Sequence, residues 1–464
     1  MSNVLDLYDQ TYFSFGRAAG VTNLLQCVWV YDRGIDVDGL RRFHHQLQQG
    51  LLSRRIERSP LPFGRHRWVS ANRQPGLEIV EPPRRREEFD AWLDEQANVP
   101  LDAEHGPGWH LAVLPFTDGG AGVTLVVSHC LVDGVGLCEA LADAGSGNQD
   151  PISWPAGASR RRWQALGEDA RQTVRDIPAI GRAAVAAAQF ARRQRGAAGK
   201  AAAPAVLAAE ADERVTLSTA TIFVDADEWD ARADALGGTG NTLLAGMAAR
   251  LAQRVGRVTA DGFATPSIPV NERTAGDTRA NAITNVDITV DPAPAATDLR
   301  EIRAATKQAL IRSKEMPDER WALLPLVPLL PQRLTRRVVG VATGGTTNVV
   351  SSNLGTTPPA LNQPDGTDAD YFAMKSLYPG VTKAIMHRTG GVLALLSGRV
   401  HQQVFVSVLA YQPGRPNSND QLWQDLSGAL RDYSLTATTG WGMRDVADAI
   451  ADQADSSELC DLTT

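Results

Sequence analysis

Residues 123–136 read Val-Thr-Leu-Val-Val-Ser-His-Cys-Leu-Val-Asp-Gly-Val-Gly, an apolar β-branched run that stops at a histidine and turns four residues later. A nearly continuous apolar run, rather than an alternating one, suits a strand covered on both faces, so helices or a second layer must flank it. Asp133-Gly134 is a turn or helix-start signal, because Asp caps backbone N–H groups and Gly accepts positive φ. His129 therefore stands where a rigid strand gives way to a turn. That place suits a general base, and histidine is the side chain that titrates nearest neutral pH. A plainer reading stands beside this one: a lone histidine at a strand end is commonly a structural residue. His129 and Asp133 would have metal-ligand spacing on a helix, but no third ligand lies nearby in sequence, so no metal is expected. Ser128 and Cys130 neighbour His129 directly and would point to the opposite face of a strand, and no Gly-x-Ser-x-Gly elbow surrounds them.

At 464 residues the chain exceeds one ordinary core, which implies two domains or a pseudo-duplicated fold. A net charge of −7 argues against nucleic-acid binding. Met1 to Gln10 carry no basic region of a secretory signal, and no stretch has the length of apolar residues needed to span a bilayer. Cys27, Cys130, Cys138 and Cys460 show neither paired nor zinc-like spacing. These features lead to the expectation of a cytoplasmic protein with reduced thiols and at most peripheral membrane contact.

Strand signals fall at 24–31, 109–115 and 123–129, with helices at 36–48 and 135–144. An Ala- and Arg-rich segment at 159–200 reads as a long helix broken near Pro178. It carries ten Lys or Arg against three acidic residues. It is either a solvated helix covering the junction of two halves, or an attractive surface for phosphates, an acidic carrier protein or an anionic membrane. The Ala-rich stretch 201–211 reads as a linker, dividing the chain into 1–200 and 201–464. The second half alternates strands at 220–224, 264–270, 285–290, 347–352, 392–398 and 404–410 with helices at 225–236, 242–255 and 418–433. No phosphate-binding glycine loop is present.

Ser128-His129-Cys130-Leu131-Val132-Asp133-Gly134 resembles the HHxxxDG signature of the CoA-dependent and carrier-protein-dependent acyltransferases. That superfamily includes chloramphenicol acetyltransferase, non-ribosomal peptide condensation domains and the wax ester synthase/diacylglycerol acyltransferases. Other blocks look like the last group in family order. They are Leu5 to Phe13, Leu52 to Ile56 with Arg67-Trp68-Val69, and Pro100-Leu101-Asp102 to Trp109. In the second half they are Ile268 to Arg273 with Ala280-Asn281, Ser351-Ser352-Asn353-Leu354-Gly355, and Leu377-Tyr378-Pro379.

The resemblance implies an α/β sandwich fold of two chloramphenicol-acetyltransferase-like lobes with a substrate tunnel at their junction. It implies His129 as general base and Asp133 as the second motif residue, paired with an arginine, for which Arg273 is the candidate. Gly134 would leave room for a pantetheine arm, and Ser128, Ser352 and Asn353 would touch substrate. Asn353 also reads as a turn cap before Gly355. No cofactor is implied beyond an acyl-CoA or acyl-carrier thioester as co-substrate, with an alcohol or amine as acceptor. Ser128 stands where the signature has its first histidine, Thr356 where proline is usual, and Ala280 where glycine is usual. Three readings follow: an acyltransferase, a stand-alone condensation-type enzyme docking acidic carrier proteins at 159–200, and a non-catalytic ligand-binding homologue.

Overall fold

The computed structural model describes residues 3–72, 75–147, 151–197, 213–315, 323–329 and 347–441. The expected linker at 201–211 and Cys460 lie outside these residues.

Two sheets organise the chain. The first takes β1 (Leu24–Tyr31), β4 (Leu77–Ile79), β5 (Trp109–Pro115), β6 (Ala121–Ser128) and β11 (Tyr371–Leu377), in the order β11-β1-β6-β5-β4. The second takes β7 (Ser218–Asp225), β8 (Thr265–Asn271), β9 (Ile283–Asp287), β10 (Asn348–Thr356), β12 (Val392–Val400) and β13 (Gln403–Tyr411), in the order β7-β13-β12-β10-β8-β9. A small ribbon pairs β2 (Arg54–Glu57) with β3 (Arg67–Ser70). The fold is a two-lobed α/β arrangement.

All eight residues of β1 and all eight of β6 are buried, as expected for central strands covered on both faces. They pair antiparallel, with Leu24 opposite Ser128, which puts the end of β6 beside the start of β1. Helix α2 (Val37–Leu47) packs on α4 (Gly134–Ser146), and α3 (Phe89–Ala97) covers β6. Trp29 fills the space beneath α2, meeting Phe43 and Phe372, and its indole N–H donates to the Leu361 carbonyl at 3.0 Å. In the second lobe α6 (Ala226–Ala235) and α10 (Asn419–Asp432) flank α7 (Gly240–Arg254), which lies across β8, β10 and β12. Helix α8 (Arg300–Glu315) and the short α9 (Lys383–Thr389) complete that lobe.

The two halves of the sequence do not map cleanly onto the two sheets. Strand β11 comes from the second half, yet pairs antiparallel with β1, Trp29 lying opposite Phe372. One hydrophobic core consequently mixes residues of both halves, including Trp29, Leu131, Phe372, Met374 and Phe405. A second core belongs to the second lobe alone, around Ile222, Leu243, Met247 and Val406.

The long helical segment also differs from expectation. Helix α5 (Arg162–Ala197) runs through Pro178 without a break. Proline removes one i→i−4 hydrogen bond and crowds the preceding turn. Pro178 is exposed, so water can satisfy the freed carbonyl and the helix continues. No helix among the described residues is long and apolar enough to cross a membrane.

Candidate active site

The end of β6 and the turn that follows are built by neighbours far away in sequence. The Ser128 N–H donates to the Gly108 carbonyl at 2.9 Å, and the His129 N–H to the Asn23 carbonyl at 3.0 Å. After a turn closed by Leu131 N–H to Ser128 O, the Asp133 N–H donates across the lobe junction to Ala280 O at 2.8 Å. Asp133 is the N-cap of α4, extended in backbone conformation, with Oδ1 accepting from Gly136 N at 2.7 Å. Its Oδ2 accepts from Ala282 N at 2.7 Å and from Arg273 Nη2 at 2.8 Å. Both side chains of that ion pair are 1% exposed. The Arg273 guanidinium is further held by the carbonyls of Asp277, Arg279 and Ala280. Asp133 thus spends its oxygens on structure.

Gly136 serves the same clamp: a Cβ there would lie 2.7 Å from Arg273 Nη2. Arg54, buried beneath Trp68 and Trp154, makes a second clamp by donating to Leu131 O at 2.7 Å and to Thr278 O. Burial pulls the Arg54 guanidinium down to about 9, while Asp9 opposes the shift.

Asp9, on α1 (Leu7–Ala19), supplies a third tie. Its carboxylate accepts from Ala280 N at 2.9 Å, Asn281 N at 2.8 Å and Asn281 Nδ2 at 3.1 Å. Burial raises its pKa to about 6, against the lowering effect of these donors. Asn281 in turn donates to the His129 carbonyl at 3.4 Å.

The His129 imidazole sits under the Tyr12 ring, with centroids 5.2 Å apart. Asn23 donates to the Tyr12 hydroxyl and, at 3.3 Å, to that of Tyr378. His129 Nδ1 is sealed from solvent without a partner outside its own residue, while the half-buried ring leaves Nε2 as its open nitrogen. Burial lowers the His129 pKa, against the raising effects of its own backbone hydrogen bond, the Asp133 charge and Asn281. The imidazole is therefore neutral at neutral pH and able to accept a proton at Nε2.

The remaining sequence candidates are placed as follows. Ser128 is 1% exposed and its hydroxyl accepts from Cys130 N at 3.4 Å, so it is closed to a ligand. Burial pushes the Cys130 thiol up to about 12, which makes it inert. The space beside Gly134 is occupied: a Cβ there would lie 2.8 Å from Leu354 Cδ2. Ser352 shares the face of β10 with Leu354 by strand alternation. Asn353 faces the other way, its amide donating to Asn241 Oδ1 at 2.5 Å and its Oδ1 capping Gly355 N at 2.8 Å. Gly355 has φ 73°, so Asn353 acts as the turn cap.

Asp9, Arg54, Tyr12, Asn23, Asn281 and Tyr378 complete the site. Of these, residue type and spacing pointed to none; several lie in blocks that the family resemblance marked without assigning roles. Tyr378 also lines a cavity of about 320 Å³ between the end of β11 and strands β7 and β13, with Leu377, Leu409 and Arg214. The cavity thus opens at the lobe junction, two side chains from His129 by way of Asn23 and Tyr12.

Protein-family models and curated proteins give no match to this chain. Solved structures do. The chain is similar to a wax ester synthase/diacylglycerol acyltransferase from Marinobacter aquaeolei VT8, with TM-score 0.54 and 17% identity over 93% of this chain and 98% of that one. It is similar to the first condensation domain of the CDA synthetase, with TM-score 0.55 and 12% identity over 93% and 96%. It also resembles polyketide synthase associated protein 5 from Mycobacterium tuberculosis, with TM-score 0.51 and 15% identity over 93% and 98%. These similarities run nearly end to end, and the chain has the two-lobed fold that wax ester synthases and condensation domains share.

Proposed function

We propose that this chain is an acyltransferase that moves an acyl group from a CoA or carrier-protein thioester to a hydroxyl or amine, in the cytoplasm. The observation that carries the reading is His129: a neutral imidazole with an open Nε2, on a turn fixed by three independent ties at the lobe junction. Nε2 takes the proton of the acceptor as its oxygen or nitrogen attacks the thioester carbonyl. A C–O or C–N bond forms, the C–S bond breaks, and the proton passes to the departing thiolate, giving a free thiol. No acyl-enzyme is needed, which agrees with a buried Ser128 and an inert Cys130. Asp133 and Arg273 are positioning residues in this scheme. The cavity at Tyr378 is the proposed entry for one substrate.

The test is thiol release from a panel of acyl-CoAs with pooled alcohol and amine acceptors, for wild type and His129→Ala. The reading expects acceptor-dependent release that falls about 10²–10⁴-fold in the variant. Release only from carrier-loaded thioesters moves the assignment to a condensation-type enzyme. Folded protein that releases thiol from neither donor overturns catalysis altogether.

A further inference from the structure

Among the described residues, helix α5 docks through one face and leaves the other exposed. On the docked side Ala165, Asp169 and Ala183 are buried. All three acidic residues of the helix are used there or at its edge. Asp169 accepts from Arg160 at 2.9 Å and Arg67 at 3.2 Å, and Asp176 lies 3.4 Å from Arg65. Glu168 pairs with Arg160 at 3.4 Å. The negative charge of the segment is thereby neutralised by arginines, two of them from the β3 region.

The opposite face carries Trp163, Val174, Ile177 and Val185, which are 82%, 63%, 56% and 58% exposed. Among the described residues no other large apolar side chain passes 47%. Trp163, Val174 and Val185 are eleven residues apart, so at 3.6 residues per turn they fall within about 20° of one line. That line runs about 33 Å along the helix. Arg171, Arg175 and Arg182 are exposed on one flank of it, and none forms an ion pair among the described residues.

We propose that this face of α5 is a docking surface for an anionic lipid bilayer, on which the helix lies in the interfacial plane. An apolar stripe flanked by unpaired arginines, with a tryptophan near one end, has the chemistry of an interfacial helix rather than a solvated one. A second copy of the chain would bring like-charged faces together, which disfavours self-association here. A small acidic carrier would use the arginines but leave most of a line about 33 Å long bare. A planar anionic surface satisfies both. The inference stands independently of the acyl-transfer reading.

The full chain should co-sediment with vesicles of roughly 70% phosphatidylcholine and 30% phosphatidylserine, weakly with phosphatidylcholine alone, and less as salt rises. At roughly fivefold per arginine, Arg171→Glu/Arg175→Glu/Arg182→Glu should bind at least about 10²-fold more weakly. Val174→Ser/Ile177→Ser should also reduce binding, at unchanged charge. Circular dichroism should show both variants folded, since among the described residues the three arginines form no ion pair and Val174 and Ile177 are more than half exposed. A vesicle-induced blue shift of tryptophan emission should shrink in Trp163→Phe. Absence of binding to the anionic vesicles, binding that ignores both sets of substitutions, or capture of an acidic carrier protein without vesicle binding would each overturn the proposal.

Discussion

The sharpest consequence concerns the Asp133–Arg273 pair. Both side chains are 1% exposed and lie 2.8 Å apart, with Asp133 in the first lobe and Arg273 contributed by the second half of the chain. Removing one member of such a buried pair costs about 3–5 kcal/mol, because the other charge stays in a low-dielectric site. Asp133→Ala removes more than the pair: it uncaps Gly136 N, worth about 1 kcal/mol. It also strands Ala282 N without an acceptor, at about 1–3 kcal/mol. The same carboxylate carries all three, so the losses overlap, and about 5 kcal/mol is expected from the buried-pair term plus the cap. Arg273→Met leaves Asp133 two backbone donors and should cost about 3 kcal/mol, the low end for a broken buried pair. The double variant should be less damaged than the sum, with a coupling of about 2 kcal/mol, since with both side chains gone no partner charge is left stranded.

Urea denaturation of the four proteins gives this cycle directly. A coupling below about 0.5 kcal/mol would refute the clamp, because contacts that matter to each other do not add. Asp133→Asn keeps an acceptor oxygen and the side-chain shape. Because the Asp133 charge raises the His129 pKa, this variant should move the acid limb of thiol release to slightly lower pH and keep its shape, whereas loss of a proton-transferring Asp133 would remove a limb altogether.

Other consequences can be checked in parallel. Burial lowers both His66 and His110 from 6.5 to about 4, so the folded chain binds fewer protons than the unfolded one between those values. Stability should fall as pH drops through that window, by up to about 3 kcal/mol per histidine, and Asp9 opposes this below its pKa of about 6. Thermal melts of wild type and His110→Asn should show the variant losing about one proton of this slope, and identical slopes would exclude His110 as a source. Tyr12 packs its ring on His129, so Tyr12→Leu should lower kcat about 10–100-fold with KM little changed. Tyr12→Phe, which keeps the ring, should rescue most of the loss, and equal loss in both would place Tyr12 in a chemical role instead.

How much of this was legible depends on how far apart the interacting residues are. Strand β1 matches its expected bounds and β6 is placed to within two residues at the start and one at the end, because burial on both faces leaves a local apolar run. Asp133 as a helix cap is equally local. Asp9 and Asn281 are not: they are 272 positions apart, and nothing near either one encodes the bond. Strand β11 was missed because Lys375 interrupts its apolar run; the ammonium is tolerated by lying over Trp441 and beside Asp90. Pro178 misled in the other direction, since a proline on an exposed helix face breaks one hydrogen bond without ending the helix.

The clamps also explain how a serine can stand at position 128. Adjacent positions at a strand end point to opposite sides, so Ser128 is turned into the sheet while His129 faces the junction. Its hydroxyl has one weak task, accepting from Cys130 N at 3.4 Å. The rigidity of the turn comes from Asp133, Arg54 and Asp9, none of which depends on Ser128. Ser128→Ala should therefore cost no more than about 1 kcal/mol of stability, the worth of one neutral hydrogen bond. Acyl transfer in that variant should stay within about twofold of wild type, because the group that accepts the proton in the proposed scheme is untouched. If the rate instead drops tenfold or more at unchanged stability, the serine hydroxyl reaches the reacting atoms and the proton path must be redrawn through it.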